Sequence, residues 1–142
     1  MLTIDGLELA EGLDQLVTLL PRLTPRGGLS LVAASTLATL ERGGPSRVTE
    51  LAEAQSVTQP AMTGLVGRLV AQELVERSPD PDDRRGVLVA LTAAGRALLT
   101  ARRRERADAL AVLLDDLDTA DRAALAAALP ALTRLVTKGK VA

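Results

Sequence analysis

The sequence predicts a mainly α-helical domain with one β-hairpin, in the order α-α-α-α-β-β-α-α. Three observations predict it. Apolar residues recur with helical period along most of the chain. One stretch, around 74–91, breaks that period and reads as two short strands around a polar turn. The composition, 142 residues of which 47% are apolar and 25% charged, is that of a single compact globular domain.

Each element has its own signal. Leu9, Leu13, Leu16 and Leu20 place one apolar seam on a first helix that ends near Pro21. The cluster Thr24, Pro25, Arg26, Gly27 and Gly28 breaks the chain. Ser30 caps a second helix running to about Arg42, where Gly43, Gly44 and Pro45 stop it. A short third helix covers 49–55. The fourth covers 59–72, with Thr58 as N-cap and Pro60 in its first turn. Strands follow at 74–78 and 87–91, separated by a long polar tip over 79–86. Thr92 caps a long fifth helix reaching Asp116, and Thr119 caps a sixth with Leu125, Leu129, Leu132 and Leu135 on one face.

Composition excludes whole classes of chemistry. The chain has no Phe, Trp, Tyr, His or Cys. Disulfides, Cys or His metal sites, thiol or imidazole nucleophiles and thiol redox sensing are therefore impossible, and the core is built from Leu, Ala and Val. No paired-acid constellation stands out, so the reading is not an enzyme, with no cofactor and no metal. The glycine pairs 27–28 and 43–44 lack a phosphate-loop context and read as connectors. The acidic start is unlike a signal peptide. The longest apolar run, 123–132, is far short of the ~20 residues a membrane helix needs, so no membrane partner and a cytoplasmic location are expected.

Net charge is −1, but its distribution is uneven: residues 41–106 hold 11 basic and 9 acidic groups, and the segments on either side carry an acidic excess. Of the 17 basic residues 15 are Arg, the side chain suited to bidentate phosphate and base contacts.

Residues 48–70 have helix-turn-helix spacing. Val48, Leu51 and Ala52 face inward from the first helix and Val57 sits in the turn. Met62, Leu65, Val66 and Leu69 form the core stripe of the second. The opposite face carries Gln59, Pro60, Thr63, Gly64, Gly67, Arg68 and Ala71. A helix entering a major groove needs short or amide side chains near its N-terminus and a cation for phosphate. Gln59 and Thr63 suit the first need and Arg68 the second; in a plain helical bundle the same three would be solvated. A hairpin directly after such a pair makes a winged helix, whose tip reaches an adjacent minor groove that attracts Arg. The tip here is Asp82, Asp83, Arg84, Arg85 and Gly86. The dense run Arg102, Arg103, Arg104, Glu105 and Arg106 reads as a solvated helix face, with supplementary phosphate contact as the alternative. Among Asp115, Asp116, Asp118 and Asp121, capping and the helix dipole account for Asp118 and Asp121. The apolar seams of the terminal helices either pack on each other within one chain or intertwine two chains into a homodimer.

The run ERSPDPDDRRGVLVALTAAG over 76–95 resembles the wing and following helix cap of MarR-type (multiple antibiotic resistance regulator) transcription factors. TELAE at 49–53 and MTGLVGRL at 62–69 resemble the helix-turn-helix of the same family. The resemblance implies one domain over 1–142, with the winged helix-turn-helix at about 46–92 and dimerisation helices at about 5–22 and 93–138. It implies a homodimeric regulator, read here as a repressor, that binds double-stranded DNA at a pseudo-palindromic operator and is relieved by a small phenolic or carboxylate effector. Carried over by position, Gln59, Pro60, Ala61 and Thr63 face the major groove. Arg68 and Arg84 contact phosphate, Arg85 is the minor-groove arginine, and Asp83 orients its guanidinium. Effector-pocket arginines are sought among Arg22, Arg26 and Arg42. Gly64 stands where the family often has Arg, and Gly67 where it often has Asp. Both glycines remove polar groups from the reading face and motivate an alternative, a winged-helix interaction or dimerisation module with little specific DNA affinity.

Overall fold

A computed structural model of the chain describes residues 3–24 and 28–139. Its helices are α1 (Gly6–Leu19), α2 (Leu31–Gly43), α3 (Val48–Ala54), α4 (Gln59–Ala71), α5 (Ala93–Asp115) and α6 (Thr119–Gly139), with strands β1 (Val75–Asp80) and β2 (Asp83–Leu91) between α4 and α5. A short 3-10 turn, Leu20–Arg22, follows α1. Of the breaker cluster, Pro25, Arg26 and Gly27 lie outside the described residues.

Local signals set most boundaries. The side chains of Ser30, Thr58 and Thr92 accept hydrogen bonds from the amides of Ala33, Ala61 and Gly95, which are among the first free donors of α2, α4 and α5. Gly44, at φ +77°, ends α2 in a conformation that disfavours any side chain. The N-cap of α6 is Asp118 and not Thr119: its carboxylate accepts from the Asp121 amide at 2.8 Å.

The hairpin departs from expectation. Both strands run further toward the tip than 78 and 87, and only Pro81 and Asp82 remain between them. The ladder is regular from Val75↔Leu91 to Pro79↔Val87, then shifts so that Asp80 pairs with Asp83 and 84–86 bulge outward. A bulge accommodates Pro79, which has no amide to give the ladder, and re-aims the residues it carries. On the other edge of β2, Ser46 and Val89 exchange both main-chain hydrogen bonds, at 3.0 and 2.8 Å. That bridge ties the entry to α3 directly onto the hairpin.

The core lies in this central region. Leu37 and Leu40 of α2, Leu51 of α3, Met62, Val66 and Leu69 of α4, Val75 and Val89 of the sheet and Leu99 of α5 form one buried cluster. The junction beneath it is tight. The Thr92 hydroxyl donates to the Glu73 carbonyl at 2.7 Å, and a Cβ on buried Gly95 would collide with the Leu74 carbonyl oxygen. By contrast, α1 and α6 bury no residue, and Leu16, Val112, Leu125 and Leu129 are exposed. No helix among the described residues is long and apolar enough to cross a membrane.

Candidate nucleic-acid interface

Helix α4 presents two faces with different work. Met62, Leu65, Val66 and Leu69 are buried, recurring at helical spacing against α2, α3 and the sheet. Gln59, Pro60, Ala61, Thr63 and Arg68, which alternate with them, are all exposed. Ala52 of α3 is buried, and the chain turns from α3 to α4 through Ser56 at φ +53°, locked by the Val57 amide donating to the Ala52 carbonyl at 3.0 Å. That left-handed conformation costs an L-residue about 1–2 kcal/mol, so tertiary packing holds the turn.

The two glycines of α4 have arginines beside them. A Cβ on Gly64 would lie 3.7 Å from Nη1 of Arg68, and one on Gly67 would lie 3.9 Å from Nη2 of Arg77. Arg68 thus folds back along its own helix over Gly64, and Arg77 reaches from β1 to α4. Nothing in the sequence pattern gives Arg77 a role; its place on a strand beside the helix is visible only once the hairpin is docked.

At the wing, Arg84 and Arg85 are exposed on the bulged segment. Within this segment Asp83 Oδ1 accepts a hydrogen bond from the Arg85 amide at 3.0 Å. That contact is made to the peptide group of Arg85. Asp80, at the end of β1, is buried. Its carboxylate is held below the ordinary carboxylate range first by the Asp82 amide and then by hydrogen bonds from Arg47, against the opposing effect of burial. The Arg47 guanidinium is correspondingly raised, chiefly by its hydrogen bond to Asp80. Arg47 and Asp80 escape a reading of the sequence because they are 33 residues apart; an arginine at a helix N-cap is the one signal available.

The basic run on α5 is a solvated face at Arg103, Arg104 and Glu105 but not at Arg102. Arg102 is 6% exposed and donates to the Leu29 carbonyl at 3.3 Å. Arg103 is 2.7 Å from Glu41 of α2, and Arg96 is 3.7 Å from the same carboxylate. Both arginines stay exposed while they pair with this acid; Arg104 and Glu105 are exposed with no such contact among the described residues. Arg42, Arg102, Arg103 and Arg106 line a groove of about 290 Å³ between α2 and α5, and the buried Nε of Arg106 has no hydrogen-bond partner among the described residues. Of the other arginines considered for an effector, Arg22 is exposed after α1 and Arg26 lies outside the described residues.

A family model described as MarR family matches residues 27–86. The chain is 35% identical to an uncharacterized HTH-type transcriptional regulator, Mb0904, of Mycobacterium bovis, over 79% of this chain and 78% of that one. It is 49% identical to the HTH-type transcriptional repressor NicR of Pseudomonas putida over 51% of this chain, a match spanning 46% of that repressor's length. Among solved structures it is similar to RV1404 from Mycobacterium tuberculosis, with TM-score 0.80 and 27% identity over 94% of this chain and 95% of that one. It is similar also to Bordetella bronchiseptica BpsR, with TM-score 0.62 and 27% identity over 90% of this chain and 97% of that one, in a structure described as the mechanism for regulation of its DNA binding by 6-hydroxynicotinic acid.

Proposed function

This chain belongs to the MarR family of non-enzymatic, DNA-binding transcriptional regulators, and from that premise we propose that it acts as a homodimeric repressor on a pseudo-palindromic operator. One observation carries the reading. Every residue singled out for DNA, from Gln59, Pro60, Ala61, Thr63 and Arg68 on α4 to Arg84 and Arg85 on the wing, is exposed, while the residues interleaved with those on α4 form the core. Gln59, Pro60, Ala61 and Thr63 would lie along base edges, Arg68 and Arg84 on phosphate, and Arg85 in the minor groove. The repressor output is supported by the similarity to NicR.

Dimerisation is supported by the terminal helices, whose exposed seams run through Leu16, Leu125 and Leu129. A two-fold dimer sets the half-sites about one helical turn apart. Relief by a phenolic or carboxylate effector is supported by the similarity to BpsR and by the arginine-lined groove between α2 and α5, where an anion would meet the Arg106 Nε, which has no partner among the described residues. With no aromatic residue in the chain, such a ligand is held by charge and aliphatic contact and not by stacking.

The test is fluorescence anisotropy of a labelled duplex from upstream of the protein's own gene, against a scrambled duplex, at two salt concentrations. The expected outcome is sequence-specific, salt-sensitive binding that the double substitution Arg84→Ala/Arg85→Ala abolishes. Equal, weak binding to both duplexes, unmoved by the substitutions, would overturn the assignment of the wing and favour a protein-interaction role.

A further inference from the structure

Arg47 occupies a position its chemistry does not suit. It is the N-cap of α3, where Ser, Thr, Asp or Asn accepts a hydrogen bond from the first helical amides. A guanidinium offers five donors and no acceptor, and its charge stands at the helix end that disfavours cations. Only its main chain serves the cap, the Arg47 amide donating to Glu50 Oε1 at 3.4 Å. A residue that breaks a local rule this plainly points to a role elsewhere.

The side chain crosses to the wing. Its Nε donates to Asp80 Oδ2 at 2.9 Å, its Nη2 donates to the same oxygen, and Nη2 stands 3.9 Å from Asp83. The Asp80 side chain is 6% exposed and that of Arg47 43%, so the buried half of the pair belongs to the wing. Its second oxygen, Oδ1, accepts from the Asp82 amide at 2.9 Å, which ties the tip of the hairpin to the same carboxylate. Gly86 makes room: a Cβ there would stand 3.0 Å from Asp80 Cβ and 3.2 Å from Oδ2. The Ser46–Val89 bridge, one residue before Arg47, holds the root of this contact in register.

We propose that Arg47 is a positioning residue for DNA binding: by holding Asp80 it docks the wing onto the first helix of the helix-turn-helix and so sets where Arg84 and Arg85 stand relative to α4. The proposal rests on the reading of the wing as a DNA-contacting element. A wing free to hinge presents its arginines correctly only part of the time, and apparent affinity falls in proportion to that fraction.

The experiment uses the full chain and the labelled duplex from upstream of its own gene, with Arg47→Ala, Asp80→Asn, their combination, Arg47→Lys and, as a control on the wing, Arg85→Ala. Arg47→Ala and Asp80→Asn are each expected to weaken binding about tenfold, the effect of a wing docked about a tenth of the time. The combination is expected to be no worse than either alone, because both remove one and the same interaction. The slope of log affinity against log salt stays unchanged, and Arg47→Lys recovers part of the affinity. Additive effects overturn the proposal. So does a salt slope shallower by about 0.9 in Arg47→Ala, the value of one neutralised phosphate, since Arg47 would then be a direct phosphate ligand. If Arg85→Ala weakens binding and Arg47→Ala does not, the proposal fails while the wing reading stands. If neither changes binding, both fall. Should Arg47→Ala not fold, because it strands a buried carboxylate, Asp80→Asn carries the same comparison.

Discussion

The central winged helix and the terminal helices are built from the same residues and meet opposite fates. Leu37 and Leu51 are wholly buried, whereas Leu7 is 68% and Leu129 62% exposed. All four sit on helices with an apolar stripe. In the centre, α2, α3, α4 and the sheet supply each stripe with a facing surface, and α5 closes it through the contact at Gly95. At the ends, no element among the described residues buries a side chain of α1 or α6. Period makes a helix amphipathic, but burial needs a partner, and for the terminal helices the proposed partner is a second chain.

The contrast can be broken most sharply at Leu51. Leu51→Ala is expected to destabilise the chain by about 2–5 kcal/mol, with an effect in urea melts that does not depend on protein concentration. Gly95→Ala comes next, at about 1–3 kcal/mol, because the added methyl meets a carbonyl oxygen of the backbone and not a flexible side chain. It is expected to loosen α5 from the wing root, read as faster amide exchange at Thr92 and Gly95. Leu129→Ala is expected to change the stability of a single chain by less than about 0.5 kcal/mol, yet to shift the monomer–dimer balance in sedimentation toward monomer. A chain that sediments as a monomer at all concentrations, with or without Leu129, would remove the contrast altogether.

The smallest effect is acid-dependent and sharpens the central region. The folded pKa of Asp80 lies below its ordinary value. Its contribution to stability is therefore complete above the unfolded value near 3.9 and is lost as pH falls through the lowered folded one. The difference in melting temperature between wild type and Asp80→Asn should be flat from about pH 7 to about pH 5 and close below about pH 3. A difference that grows in acid would mean the pair with Arg47 does not hold the wing in solution.

Legibility follows the range of the interaction that decides each feature. The stripe Met62, Leu65, Val66 and Leu69, the caps Ser30, Thr58 and Thr92, and the stop at Gly44 are readable because each depends on near neighbours in the chain. The wing is legible as a hairpin but not in its length. Two prolines and a run of charges read as loop, and only the docked structure shows Asp80 paired with Asp83 and buried under Arg47. The run 102–106 misleads at Arg102 for a related reason, since the Leu29 carbonyl that receives its guanidinium is 73 residues away. The residues expected to meet DNA follow from pattern and resemblance. The pair that ties the wing to α3, Arg47 and Asp80, does not.

By itself, the sequence determined that the chain is helical with one hairpin, where most helices begin and end, which face of α4 is apolar, and that no thiol, imidazole or aromatic chemistry is open to it. Backbone hydrogen bonding and side-chain period are set by near neighbours, so they are written locally. The tertiary structure alone decided which charges are buried and paired, how far the wing extends, and which apolar seams are left uncovered. Those depend on what a distant segment places opposite, and on whether the desolvation of each charge is offset by the partner it finds there.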